Sequence, residues 1–136
     1  VVYSLNQFSI DNQMQGQHTP HLLKNGNILV FDNGMFRGYS RVVEINPISL
    51  KIVWEFRNKD IKFSEYQGSI YLLPNSNYLI TYGEFGCSFE ITKKKKVVWK
   101  FYHPEIQGKS NSKFKQSYGK RQTIYRMTYY DKNILK

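Results

Sequence analysis

Apolar residues in this chain fall in short runs that alternate with polar ones, and each run is closed by a cluster of turn-forming residues. Read at a period of two, the pattern predicts strands at residues 18–23, 28–32, 41–45 and 51–56, then at 69–73, 78–82, 87–91 and 97–102. Asn25-Gly26 supplies the positive-φ positions of a tight hairpin, and Asn75-Ser76 does so less well because serine carries a Cβ. Asp32-Asn33-Gly34 reads as the turn that ends the second strand, and Pro47 ends the third because it has no N–H for a ladder. Residues 122–130 alternate like a further, closing strand.

These eight runs are two copies of one unit. Leu22-Leu23-Lys24-Asn25-Gly26-Asn27 recurs as Leu72-Leu73-Pro74-Asn75-Ser76-Asn77, and Ile52-Val53-Trp54-Glu55-Phe56 recurs as Val97-Val98-Trp99-Lys100-Phe101. A period of 45 to 50 residues with four short strands per unit is the signature of a β-propeller blade. The expected fold is therefore all-β: blade-like units at 18–56 and 69–102, a basic loop at 105–121, and a closing strand at 122–130. Two blades do not close a ring, so the chain reads as the C-terminal portion of a larger propeller. A free-standing β-sandwich of eight or nine strands is the alternative. Trp54 and Trp99 recur at equivalent places, which assigns them to packing between blades.

Composition supports the all-β reading. The 136 residues contain no alanine, while aromatics reach 16%, too many for a disordered basic tail. No apolar run approaches the ~20 residues of a membrane-spanning helix, and no basic-then-apolar leader is visible. The one cysteine, Cys87, sits in an apolar strand and reads as a buried thiol. The formal net charge of +10 first points to a polyanion partner. The charge is unevenly placed, however: residues 1–90 sum to −1 and residues 91–136 to +11. Lys93-Lys94-Lys95-Lys96 reads as a solvated hairpin tip, and no aromatic platform interleaves the lysines, so nucleic acid is not the expected partner.

The stretch from Gln17-His18-Thr19-Pro20-His21 through Asn25-Gly26-Asn27 to Phe31-Asp32-Asn33-Gly34 resembles the arylsulfotransferase family. Ser40-Arg41-Val42-Val43-Glu44, Val53-Trp54-Glu55, Tyr66-Gln67-Gly68-Ser69, Gly86, Phe89-Glu90, Val98-Trp99 and Ile124-Tyr125-Arg126 follow in that family's order, so the resemblance spans roughly residues 8–130. It implies a six-bladed propeller with a site near its axis, where a sulfo group passes from a phenolic sulfate ester to a phenol through a histidine. No cofactor or nucleotide sulfate is implied, and the location implied is extracytoplasmic. The chemistry is sound, because a neutral imidazole is a nucleophile near pH 7 and a guanidinium fork meets two sulfate oxygens.

Carried over by position, His18 is the catalytic histidine, and Arg37, Arg41 and His21 are the substrate-binding residues. On a regular strand His18 and His21 would face opposite sides; only a bulge lets both reach one sulfate. A zinc site from His18, His21 and a carboxylate matches no strong ligand spacing. Superposing the units on their Leu-Leu pairs sets Gln67-Gly68 opposite Gln17-His18, so the second unit brings no matching histidine. The alternative function is accordingly a non-catalytic propeller scaffold that binds a ligand or partner.

Overall fold

The computed structural model describes residues 14–105 and 121–135. Eight strands carry the fold: β1 (Gln17–Leu22), β2 (Ile28–Asp32), β3 (Arg41–Asn46), β4 (Lys51–Phe56), β5 (Ser69–Leu72), β6 (Tyr78–Tyr82), β7 (Cys87–Ile91) and β8 (Val97–Tyr102). They form two four-stranded antiparallel sheets, each a simple meander in sequence order. Helix among the described residues is limited to short 3-10 turns at Gly83–Phe85 and Lys132–Leu135. The all-β class stands as expected from the alternation, as two four-stranded antiparallel sheets.

The first hairpins of the two sheets make matching bonds. Leu23 N–H donates to Asn27 O at 2.8 Å, and Leu73 N–H donates to Asn77 O at the same distance. Gly26 has φ 82° and Ser76 has φ 65°, so serine holds the left-handed position that glycine holds in the first hairpin. Asn25 and Asn27 both donate to Glu44 Oε1 (3.0 and 2.7 Å), and Asn75 and Asn77 both donate to Glu90 Oε1 (3.0 and 2.6 Å).

Strand register fixes which faces meet. In the first sheet, Leu29, Phe31, Val42, Glu44, Trp54 and Phe56 share one face, and Val30, Val43 and Ile45 share the other. The second sheet packs onto the Leu29 face with Ile70, Tyr78, Ile80, Tyr82, Phe89 and Ile91. Those residues correspond to the first sheet's other face, the one bearing Val30 and Val43. Non-equivalent faces therefore pack together, head to tail, and the seam is aromatic: Phe31 meets Tyr82 edge-on at 5.4 Å and Trp54 meets Tyr78 at 4.8 Å. The sheets come closest along β1, β2 and β5.

The link between the sheets is stapled from three sides. Asn33 donates to Ser64 O (2.7 Å) and Gln67 O (2.8 Å), and Ser40 Oγ accepts from Ser64 N–H (2.8 Å). From the second sheet, the carboxylate of Glu84 accepts from the N–H groups of Glu65 and Tyr66, both at 2.8 Å.

The closing strand expected at 122–130 is absent. A single bridge occurs at Arg121, and the segment then crosses the outer face of the second sheet without entering a ladder. Ile124 N–H donates to Gly83 O (3.0 Å) and Met127 N–H to Thr81 Oγ1 (3.2 Å). Burial explains the difference. Arg121, Ile124 and Met127 are partly buried while the residues between them are exposed, a period of three that no strand has. Of the basic loop expected at 105–121, residues 106–120 lie outside the described residues.

Candidate functional site

β1 is irregular at its centre. His18 pairs with Phe31 and His21 with Leu29, so three steps along β1 match two along β2. That is a β-bulge, and Phe31 and Leu29, two residues apart, share a face. By register the extra residue sets His18 and His21 opposite residues of one face, while exposure still alternates along β1. The distortion centres on Thr19, whose φ of 47° is unusual for a β-branched residue and costs on the order of 1–3 kcal/mol. Thr19 is held there by tertiary contact, since its Oγ1 accepts from Ile70 N–H at 3.0 Å across the seam. His18 is exposed. His21 is half-buried, its ring meeting Tyr71 at 5.6 Å with the planes 80° apart.

Arg37 and Arg41 converge on one carboxylate. Asp32 Oδ2 accepts from Arg37 Nη2 at 2.7 Å and from Arg41 Nε at 2.9 Å, while its Oδ1 accepts from Gln15 N–H at 2.8 Å. Asp32 is fully buried, so this is an internal ion cluster and not the turn residue expected from Asp32-Asn33-Gly34. Arg41 reaches on to Glu55 Oε2 (2.9 Å), and Arg57 bonds the other oxygen of Glu55. Burial works to raise the Glu55 carboxyl, but bonds and charge from Arg57 and Arg41 outweigh it and hold the carboxyl below its ordinary range. Arg37 and Arg57 also stack on Tyr39, at 4.6 and 4.0 Å.

Among the described residues the cluster joins three arginines and two carboxylates, at the end of β2 next to the Gln17–Asp32 pair. Asp32, Tyr39, Glu55 and Arg57 were not foreseen as part of it. The usable signal was an acidic residue closing a strand with arginines five and nine positions later.

The second unit carries no equivalent constellation. Ser69 pairs with Thr81 as His18 pairs with Phe31, so the bulge makes Ser69, and not Gly68, the structural counterpart of His18. Gly68 itself has φ 119°, and a Cβ there would lie 2.5 Å from the Phe31 ring, leaving no room for a side chain. His103 follows β8 and bonds to the chain around it, its N–H donating to Gly86 O (2.7 Å) and its O accepting from Arg121 (2.6 Å). Cys87 is buried, and burial pushes its thiol up to about 12 despite the opposing charge of Arg121, so it is an inert packing group.

Among the described residues, no group of three or more His, Cys, Asp or Glu is placed to hold a metal ion, and no helix is long and apolar enough to cross a membrane. Three of the cavities bounded by described residues, of about 490, 290 and 290 Å³, are lined by residues other than the two β1 histidines. Comparison of the chain with protein families, with curated proteins and with solved structures finds no match.

Proposed function

We propose that the chain supplies two adjacent blades of a β-propeller and that His18 on its first strand carries a sulfo-transfer site of the arylsulfotransferase kind. The observation that supports this reading best is the strained bulge at Thr19, which sets His18 and His21 opposite Phe31 and Leu29, residues of one face of the sheet. In the first step a neutral imidazole nitrogen of His18 attacks the ester sulfur, the sulfur–oxygen bond to the donor breaks, and a phenolate leaves. In the second, the acceptor phenol loses its proton, its oxygen attacks the sulfur, and the nitrogen–sulfur bond breaks to restore the imidazole. Arg37 and Arg41 are both engaged by Asp32 on the face opposite Phe31 and Leu29, so in this reading the sulfate contact falls to His18 and His21.

The test is transfer from a chromogenic aryl sulfate to a phenol, followed by donor colour release. His18→Ala is expected to abolish transfer, and His21→Ala to weaken it by about tenfold, a loss of about 1.4 kcal/mol of transition-state binding. Unchanged transfer in His18→Ala sinks the assignment.

One observation favours a second reading, in which the blades are a non-catalytic scaffold: the second unit has Ser69 at the place of His18 and a Gly68 that admits no side chain. A sulfo-histidine found after incubation with donor alone would remove that reading.

A further inference from the structure

The lysine run at residues 93–96 reads from sequence as a solvated hairpin tip, yet it is tied to the opposite sheet. Trp54 Nε1 donates to Lys93 O at 2.8 Å. Lys93 Nζ lies 3.5 Å from Glu44 Oε2, which also accepts from Tyr78 OH (3.3 Å). The tip closes through Thr92 N–H to Lys96 O and Lys95 N–H to Thr92 O, both at 2.8 Å, with Lys95 at φ 67°. The β7–β8 hairpin is thus docked on the first sheet, and Lys95 comes to border the same cavity as the residues that end β4.

That cavity, of about 490 Å³, is lined by residues 55–60 together with Lys95 and Val97. Phe56 belongs to the core and Val97 packs against it, so part of the wall is apolar. Arg57 and Lys59 follow β4, whereas Lys95 reaches the cavity from the other sheet. Arg57 is held in place, since its Nε bonds Glu55 Oε1 and its guanidinium lies 4.0 Å from the centre of the Tyr39 ring. Its Nη groups make no hydrogen bond among the described residues, and neither Lys59 nor Lys95 has an ion pair there. The loop behind Arg57 is pinned as well: buried Asn58 accepts on Oδ1 from Asp60 N–H (2.8 Å) and Ile61 N–H (3.1 Å). Of the two carboxylates on the wall, Glu55 is taken up by Arg41 and Arg57, and Asp60 is exposed.

We propose that this cavity between the sheets binds a small organic anion, one acidic group on a compact apolar body. The open end of the Arg57 guanidinium and the two ammonium groups meet the acidic group, while the apolar body lies against Phe56 and Val97. The volume is that of an ordinary small-molecule site. An extended polyanion fits less well, because Glu55 and Asp60 stand among the cations and a phosphate chain leaves the apolar wall unused. Neither β1 histidine lines the cavity, so the inference is independent of sulfo transfer.

The test is calorimetric titration of the native polypeptide with naphthalene-2-sulfonate, and with methanesulfonate as the same acidic group without the apolar body. Naphthalene-2-sulfonate is expected to bind at least about tenfold more tightly than methanesulfonate. Lys59→Gln combined with Lys95→Gln should weaken it by about tenfold, and Asp60→Asn should tighten it by about threefold, opposite shifts that loss of folding does not produce. Lys24→Gln combined with Lys51→Gln removes the same charge at exposed positions off the cavity and should change affinity by less than about twofold. His18→Ala should leave binding unchanged. Equal weakening by the two lysine pairs overturns the proposal, because it reduces binding to general attraction by a basic protein. Equal affinity for the two sulfonates, or no saturable binding, overturns it as well. Loss of binding in His18→Ala does so by placing the anion at β1, whereas loss of sulfo transfer alone in that variant leaves the proposal standing.

Discussion

Asp32 is the residue on which the candidate site depends. It ends β2 with no exposed surface and accepts two guanidinium bonds on a single oxygen. The side chains of Arg37 and Arg41 are 14% and 7% exposed, so neither has bulk water as a substitute partner. Removing one member of a buried ion cluster leaves charge uncompensated and typically costs about 3–5 kcal/mol. Asp32→Asn is therefore expected to lower unfolding stability by about 3 kcal/mol or more, measured by urea titration. A loss below about 1 kcal/mol would mean that the two arginines find other anionic partners, and the cluster would lose its standing as the organiser of the site. Asp32-Asn33-Gly34 looks like a plain turn in sequence because ion pairing between residues five and nine apart leaves no periodic trace. His18 and His21 were legible as a pair, and so was the condition on them, since a spacing of three on a strand demands a bulge. The bulge itself was not, because it is imposed from the other sheet by Ile70 through Thr19.

Elements follow from local chemistry more fully than the site does. β2, β4, β6, β7 and β8 begin and end where alternation and turn residues place them. Each is flanked by Asn, Gly or Pro signals or by the lysine tip, which act within a few residues of the strand ends. The 122–130 segment went the other way, because its apolar residues serve a sheet face at every third position and do not pair an edge. The two β1–β2-type hairpins allow a direct comparison of glycine with serine in one conformation. Both turns close with matching bonds from Leu23 and Leu73, and both asparagines, Asn25 and Asn75, accept from the N–H two residues on at 3.1 Å. Ser76 at φ 65° bears the steric cost of the left-handed region, on the order of 1 kcal/mol. Part of the gain from relieving it is lost to the greater freedom of an unfolded glycine. Ser76→Gly is expected to raise stability by roughly 0.5 kcal/mol, visible as a higher urea midpoint with unchanged slope. A lowered midpoint would show that the Ser76 side chain is worth more than its strain.

At the scale of the molecule, two buried glutamates set how the head-to-tail packing responds to pH, and they act with opposite signs. At Glu44, in the seam between the sheets, burial pushes the carboxyl up, but bonds from Asn27 and Asn25 and the charge of Lys93 outweigh it and hold its pKa below the ordinary value. The folded state then binds that proton more weakly than the unfolded chain does. Glu44 therefore contributes stability above the ordinary carboxyl pKa, about 4.3, and the contribution is lost as pH falls through the lower folded value. Lys93 is 61% exposed, so salt screens its share of the effect. At Glu84, which staples the inter-sheet link, burial prevails over the bonds from Tyr66, Glu65 and Ser64 and raises the pKa. Its contribution is full below about pH 4.3 and is lost as pH rises through the raised value. Urea unfolding from about pH 3 to about pH 8 separates the two. Glu44→Gln should be most destabilising near neutrality, with its deficit shrinking as the medium acidifies. Glu84→Gln should move in the other direction, improving relative to the parent as pH rises, because glutamine has no charge to desolvate. If the Glu44→Gln deficit stayed constant across that range, the seam would not be held by an ionised Glu44. The asparagine, tyrosine and lysine contacts converging on it would then count as packing alone.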